Sequence, residues 1–259
     1  MSITMNKTRF YNLMLLYFLC LYIFSFIACS DKEKKQQEIK KDSKVIESKV
    51  SNELTLIMGG DALLHTAVYN DAKYTLPQEK DSKAKPTFSY DFSKMFIHAT
   101  PLISQYDLAF YNQETILGGK ELGLSSYPAF NSPQEFGDCT TTLGFNLISL
   151  ANNHTLDRGE QAIKNSLEYW SKKPVIAAGS YMSLIERNTP KIHEKNGITY
   201  TLLAYTYGTN GIPIPKHKEY LVNVYNKEML KKDIENVRNK VDLLMVSMHW
   251  GNEYDFKPK

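Results

Sequence analysis

Short apolar runs and amphipathic stretches alternate along most of the chain. Runs of strand length, each bounded by polar or turn-forming residues, occur at residues 54–59, 108–111, 147–150, 175–179, 198–205 and 241–248. Apolar residues recur at helical spacing in the stretches 132–143, 158–172 and 227–240. This alternation of buried strands with amphipathic helices predicts an α/β domain built on a parallel or mixed sheet.

Three further stretches carry local predictions. Residues 92–106 have helical spacing, and Pro101 is expected to break or kink that helix. Residues 69–90 contain prolines and scattered lysines and are expected to form a long surface excursion. Asp157 and Glu160 have the Asp-x-x-Glu spacing of a capping box, which predicts the start of the helix that follows.

The first 52 residues differ in composition from the rest of the chain. Two basic residues precede an apolar run, residues 10–27, which meets Ala28-Cys29-Ser30 and then a charged stretch. This order resembles a bacterial lipoprotein signal peptide with Cys29 as the acylated residue, and an uncleaved amino-terminal membrane anchor is the alternative. We therefore expect residues 1–29 to hold the protein at the extracytoplasmic face of the cell membrane. Residues 30–52 are expected to form a disordered polar tether, and residues 53–259 the folded domain.

Composition and charge narrow the function classes. The chain of 259 residues is 42% hydrophobic and 12% aromatic, which is typical of a globular protein with a substantial core. The formal net charge is only +3, and many of the lysines are interleaved with acids, so nucleic acid is not an expected partner. The three cysteines predict no disulfide framework, and stability must therefore come from the core.

Polar side chains follow four of the predicted strands at the point where each strand ends. They are Asp61, Asn112 with Glu114, Asn153 with His154, and His249. Because ligands of open α/β sheets bind at the carboxyl ends of the strands, we expect these side chains to meet at one edge. Oxygen and imidazole ligands without thiolate suit Mn, Fe, Zn or Mg, so the pattern predicts a divalent-metal site. A rim of polar turns without metal is the alternative.

Three side chains near this sheet edge, one histidine and two tyrosines, could belong either to the site or to the structural framework around it. His65 follows Asp61 by four residues and would share a helix face with it if the chain turns helical there. The alternative is that His65 only supports the ligands or is merely buried. Prolines and glycines in residues 208–215 predict a loop. Beside that loop, Tyr205 and Tyr207 either line the site or pack in the core.

Four motifs stand in order along the chain. They are Gly60-Asp61 with His65, Asn112-Gln113-Glu114, Ala151-Asn152-Asn153-His154 with Asp157 and Gly159, and His249-Trp250-Gly251-Asn252-Glu253-Tyr254. This set resembles the successive motifs of CapA-type proteins of poly-γ-glutamate capsule synthesis, a branch of the calcineurin-like metallophosphoesterase superfamily. The resemblance runs from about residue 54 to the carboxyl terminus.

The resemblance implies a metallophosphoesterase-like α/β/β/α sandwich, in which two sheets are flanked by helices. It also implies that the metal ligands are Asp61, Glu114, Asn153 and His249, with His154 beside the metal as proton donor or transition-state stabiliser. Residues that would orient these groups or contact substrate are His65, Asn112, Asn152, Asp157 and Glu253.

The chain departs from the superfamily pattern in two ways. Leu63 stands where the Asp-x-His opening has its histidine, and Glu114 stands where classical members carry an Asp, which leaves the number of metals open. The family continues to a Gly-His-x-x-His motif, whereas this sequence stops at Lys259. From the sequence we expect a sandwich that is incomplete at its carboxyl-terminal end, with impaired or no catalysis.

Two functions are consistent with these features. The first is a surface-anchored CapA-like protein with a metal-dependent phosphoesterase-type site that acts in capsule synthesis. The second is a non-catalytic, membrane-tethered factor that binds polymer or helps to assemble the synthesis machinery. The expected partners are the membrane, an anionic polymer and that machinery, and metal content distinguishes the two functions.

Overall fold

The structure is a computed structural model that describes residues 52–77, 85 and 87–255. Its strands are β1 (Leu56–Asp61), β2 (Lys73–Thr75), β3 (Phe88–Tyr90), β4 (Leu108–Asn112), β5 (Leu147–Ser149), β6 (Ile176–Ala178), β7 (His193–Lys195), β8 (Ile198–Thr206) and β9 (Leu243–His249). Its α-helices are α1 (Thr66–Asp71), α2 (Thr100–Ile103), α3 (Glu135–Leu143), α4 (Gly159–Ser171), α5 (Leu184–Arg187) and α6 (Lys227–Val237). Short 3-10 helices cover Ser93–Phe96, Lys120–Leu122, Glu219–Leu221 and Arg238–Lys240.

The strands form two main sheets and a small ribbon. The first sheet has the order β1-β4-β5-β6, and all of its neighbours are parallel. The second has the order β7-β8-β9, in which β8 pairs antiparallel with β7 and parallel with β9. Strands β2 and β3 pair antiparallel as a separate ribbon. The sequence prediction of parallel and mixed sheets is therefore confirmed.

Apolar side chains of the two sheets pack against each other. Leu108 and Leu147 of the first sheet lie in one cluster with Leu202, Ala204 and Met245 of the second, and all five are buried. Successive strand residues point to opposite faces, so each sheet also has an outer face that must be covered.

Helices cover both outer faces. Ala109 and Ile148 on the far side of the first sheet pack in a cluster that includes Trp170 of α4. On the far side of the second sheet, Leu203 packs with Val237 of α6. The layers are therefore helix, sheet, sheet and helix, and the predicted α/β/β/α sandwich is confirmed.

The predicted long helices are confirmed, but two local predictions are wrong. Helix α4 begins at Gly159, and its N-cap residue Arg158 makes no side-chain capping bond. The predicted capping box does not form, because the Asp157 carboxylate bonds to Phe130 N–H and to His154. Residues 92–106 form two short helical pieces instead of one helix. Pro101 lies in the first turn of α2, where its missing N–H has no intrahelical role.

The predicted surface excursion at residues 69–90 is partly wrong. Its first residues belong to α1, and its two ends pair as β2 and β3. The ammonium of Lys73 lies 3.9 Å from the centre of the Phe88 ring across this ribbon. Alternate polar and apolar residues in such short strands give too weak a periodic signal to predict the pairing.

The predicted anchor and tether, residues 1–52, lie almost wholly outside the described part of the chain, and Cys29 is among the residues not described. Within the described residues, none of the helices has the length and apolar character needed to cross a membrane.

Gly179 packs closely against both the loop after β5 and strand β8 of the second sheet. It follows β6 with a φ of +100°, and a Cβ built there would lie 2.5 Å from the Cβ of Ala151 and 3.1 Å from that of Ala204. A side chain at this position would therefore push apart the loop after β5 and strand β8.

We expect Gly179→Ala to destabilise the domain by about 2–5 kcal/mol, the sum of overpacking and left-handed strain. Gly123→Ala is the matched control, since Gly123 has a φ of +76° and nothing within 4 Å of the built Cβ. The control should lose only about 1–2 kcal/mol. Urea denaturation of both variants measures the difference, and equal losses would show that the sheets do not pack closely at this point.

Candidate metal centre

The carboxyl ends of strands from both sheets meet at one edge of the sandwich. Asp61 at the end of β1 pairs in register with Asn112 at the end of β4, which pairs with Ser149 at the end of β5. In the second sheet, His249 at the end of β9 pairs with Thr206 at the end of β8. The fold thus gathers side chains that lie far apart in the sequence.

Three side chains form the centre of the site. One ligand atom from each of Asp61, Glu114 and His249 lies within 4.8 Å of the other two. His249 Nδ1 is 3.6 Å from Asp61 Oδ1, and His249 Nε2 is 3.6 Å from Glu114 Oε1. Glu114 is nearly buried, whereas the Asp61 side chain is half exposed, so the cluster opens to solvent on the Asp61 side.

Asn153 adds a fourth donor. Its Oδ1 lies 2.9 Å from His249 Nε2, on the side of the imidazole that faces Glu114. Carboxylate, amide oxygen and imidazole together form a donor set that suits a divalent cation of the Mn, Fe, Zn or Mg type. The residues present therefore fit the metal that the resemblance implies.

The charges of the cluster shift the pKa values of its members. The interaction with His249 lowers the pKa of Asp61, and a hydrogen bond from Asn112 lowers it further. Burial raises the pKa of Glu114, and the negative charge of Asp61 adds to that rise. For His249, burial acts to lower the pKa, but contact with Asp61 and the charge of Glu114 outweigh it and raise the pKa. The cluster therefore favours a positive charge between its two carboxylates.

His154 is oriented toward this centre by Asp157. The imidazole Nδ1 lies 2.7 Å from Asp157 Oδ2, and Nε2 lies 4.0 Å from Glu114 Oε1. The same Asp157 oxygen accepts a 2.8 Å hydrogen bond from the backbone N–H of Phe130. With Nδ1–H donated to Asp157, Nε2 is the atom that can give or take a proton at the cluster.

Two amides connect the cluster to the sheet edge. Asn112 Nδ2 donates to Asp61 Oδ1 at 2.8 Å and lies 3.3 Å from His249 Nδ1. Asn152 Nδ2 donates to Asn112 Oδ1 and to the Gln113 carbonyl, at 3.3 and 2.8 Å. Both amides are buried, and Asn112 bridges Asp61 and His249 without adding charge to the cluster.

Two residues named from the sequence lie apart from the cluster. His65 precedes α1 in an extended conformation and does not share a helix face with Asp61. The Phe130 ring lies edge-on to His65, with 5.1 Å between ring centres. It also lies edge-on to His154, with 4.8 Å between ring centres. Glu253 is exposed in the turn after β9, where its charge contributes only weakly to the raised pKa of Glu114.

The sequence left open whether Tyr205 and Tyr207 line the site or pack in the core, and the two lie in different places. Tyr205 is fully buried and donates its hydroxyl to Asp233 Oδ2 at 2.7 Å, so it belongs to the core. Tyr207 is 47% exposed and stacks on the His249 imidazole with 6.1 Å between ring centres. Tyr207 therefore lines the site.

Sequence reasoning missed Asn210. Its side chain accepts a hydrogen bond from Asn153 Nδ2 at 3.1 Å, and its Nδ2 lies 3.5 Å from His154 Nδ1. The Asn210-Gly211 dipeptide predicts a tight turn but not which way the amide points. No periodic pattern could have indicated this contact.

A family model described as "Bacterial capsule synthesis protein PGA_cap" matches residues 55–259. The match therefore covers more than half of the chain, including all the residues of the site just described.

Two curated relatives match part of the chain. "PGA biosynthesis protein CapA" of Bacillus subtilis (strain 168) is 28% identical over 118 residues, which are 45% of this chain and 31% of the relative. "Capsule biosynthesis protein CapA" of Bacillus anthracis is 26% identical over 119 residues, 44% of this chain and 29% of the relative. The matched part thus spans about a third of each relative's length.

A solved structure is also similar. The crystal structure named "Putative 5'-Nucleotidase from Staphylococcus aureus in complex with alpha-ketoglutarate" aligns with 78% of this chain and 38% of its own, at 16% identity and a TM-score of 0.41.

The raised pKa of His249 has a measurable consequence. In chelator-treated protein, the imidazole should titrate above its ordinary value of 6.5, and Asp61→Asn should lower the midpoint because an attractive charge is lost. A raised pKa means that the contribution of protonated His249 to stability is complete below about pH 6.5 and is lost as the pH rises through the folded-state pKa. Asp61→Asn should therefore cost more stability at pH 6 than at pH 9.

Histidine NMR titration and urea denaturation at the two pH values test this expectation. His98→Ala is the control, because His98 is an exposed imidazole outside the cluster. A stability loss in Asp61→Asn that does not vary with pH would contradict the proposed charge arrangement.

Proposed function

Because the chain belongs to the family of bacterial capsule synthesis proteins described as PGA_cap, we propose that it acts in the synthesis, export or anchoring of an anionic γ-glutamyl polymer. We further propose that it does so at the extracytoplasmic face of the cell membrane through a divalent-metal site. The observation that carries the metal proposal is the convergence of Asp61, Glu114 and His249, with Asn153 Oδ1 beside them.

The chemistry proposed for this site is hydrolysis, in which water attacks a phosphoryl or acyl centre, the bond to the leaving group breaks, and the leaving group takes up a proton. A bound divalent ion would polarise an oxygen of that centre and neutralise its charge. The side chains of the cluster would position the reacting group, and His154 Nε2, on the Glu114 side of the cluster, is placed to give or take a proton. Asp157 keeps the His154 ring in that orientation. The open Asp61 side gives a polymer end access to these groups.

The membrane location is supported by the sequence pattern of residues 1–29. Acylation of Cys29, or retention of the apolar run as an anchor, would keep the domain close to the site of polymer export. The polar stretch that follows would give the domain reach away from the lipid surface.

Metal binding tests the site directly. The full chain in detergent should bind Mn²⁺ or Zn²⁺ in isothermal titration calorimetry, with affinity that rises with pH because a ligand imidazole must be deprotonated. His249→Ala and Glu114→Gln should each weaken binding by about 100-fold or more, since each removes a direct ligand. His98→Ala should bind as the unaltered chain does. Unchanged affinity in both ligand variants would refute the metal site.

Polymer production tests the cellular role. Deletion of the gene in a host that carries it should lower the amount of surface γ-glutamyl polymer, and the wild-type gene should restore it. Asp61→Ala and His249→Ala should fail to restore polymer, whereas His98→Ala should succeed. Full restoration by both site variants would favour the non-catalytic binding or assembly role.

A further inference from the structure

We propose that Asn210 is a positioning residue, which turns the amide oxygen of Asn153 toward the metal site and supports the ring of His154. This inference deepens the proposed function and rests on its metal site. Its basis is the pair of contacts that the Asn210 side chain makes with two consecutive site residues.

The orientation of Asn153 decides whether it can be a ligand. An amide presents an oxygen on one side and an NH₂ group on the other, and only the oxygen can bind a cation. Asn153 Nδ2 donates to Asn210 Oδ1 at 3.1 Å, which leaves Asn153 Oδ1 to face His249 Nε2 at 2.9 Å. A flipped amide would point hydrogens at the ligand cluster and lose the acceptor on Asn210.

The second contact lies on the neighbouring histidine. Asn210 Nδ2 is 3.5 Å from His154 Nδ1, the same atom that lies 2.7 Å from Asp157 Oδ2. The distance is too long for a strong hydrogen bond, but it places the amide against the ring edge. Because Nδ1–H is directed to Asp157, the Asn210 amide makes a packing contact with the ring edge and no hydrogen bond.

The loop that carries Asn210 is itself fixed to the site. The backbone N–H of Tyr207 donates to the His249 carbonyl at 3.1 Å, and the Tyr207 ring stacks on the His249 imidazole. Thr209 Oγ1 donates to the Ile212 carbonyl at 2.7 Å and closes the turn. The position of Asn210 is thus tied to the ligand strand β9.

The chain contains a second turn of the same geometry. Asn210 and Gly211 have φ values of +51° and +78°, and Asn196 and Gly197, between β7 and β8, have values of +54° and +77°. Asn196 bonds to Glu53 O and Asp107 Oδ1 and not to the site. Asn196 is therefore a matched control. Its loss should show the effect of removing an asparagine side chain from such a turn, without any effect on the metal centre.

Paired glycine variants of the full chain, in detergent, test the proposal. Glycine accepts positive φ without strain, so Asn210→Gly and Asn196→Gly each remove only the side chain. Asn210→Gly should weaken Mn²⁺ binding by about 10-fold or more, the usual effect of removing a group that orients a ligand. Asn196→Gly should leave the affinity unchanged. Asn210→Asp should stay within about threefold, because a carboxylate still accepts from Asn153.

Equal Mn²⁺ affinity in the two glycine variants would overturn the proposal. So would an Mn²⁺ affinity of Asn210→Asp as low as that of Asn210→Gly. A second measurement needs no metal. In chelator-treated protein, the side-chain amide NMR signal of Asn153, assigned by its loss in Asn153→Asp, should move and exchange faster with solvent in Asn210→Gly but not in Asn196→Gly. If the unaltered chain binds no Mn²⁺, the proposed metal function is refuted. The Asn153 amide signal then tests the role of Asn210 by itself, and an unchanged signal in Asn210→Gly would refute that role.

Discussion

The close approach of two carboxylates to one imidazole is the interaction on which the rest of the site depends. Asp61 and Glu114 repel each other, and Glu114 is nearly buried, so their proximity must be stabilised by positive charge. His249 supplies part of that charge, as its raised pKa shows. A divalent cation would supply more, and the neighbouring amides hold the carboxylates in place while it binds.

The sandwich architecture is what makes this arrangement possible. Asp61 and Glu114 belong to the first sheet or the turn directly after it, whereas His249 comes from the second. The packing of the apolar layer between the sheets therefore sets the distances between these three side chains. The tight contact at Gly179 is one place where that packing leaves no room for change.

The sequence predicted the fold and the strand edge at which the polar side chains meet, because both depend on strong, regular signals. Apolar runs predict strands, and polar residues directly after them predict an edge site, which is where Asp61 and His249 lie. The capping box failed because Asp157 has two other partners, a backbone N–H and an imidazole, that only the tertiary structure brings near. Asn210 was missed for the same reason, since a loop amide carries no periodic signal.

The distance along the chain between the side chains of the site has a consequence for folding. Asn112 and His249, which are in contact at the site, are 137 residues apart in sequence. Closing a loop of that length is slow and entropically costly, so the site can assemble only when most of the domain has folded. A cation that recognises only the assembled site would then leave the folding rate nearly unchanged and slow unfolding. Such an ion would therefore extend the lifetime of the folded domain.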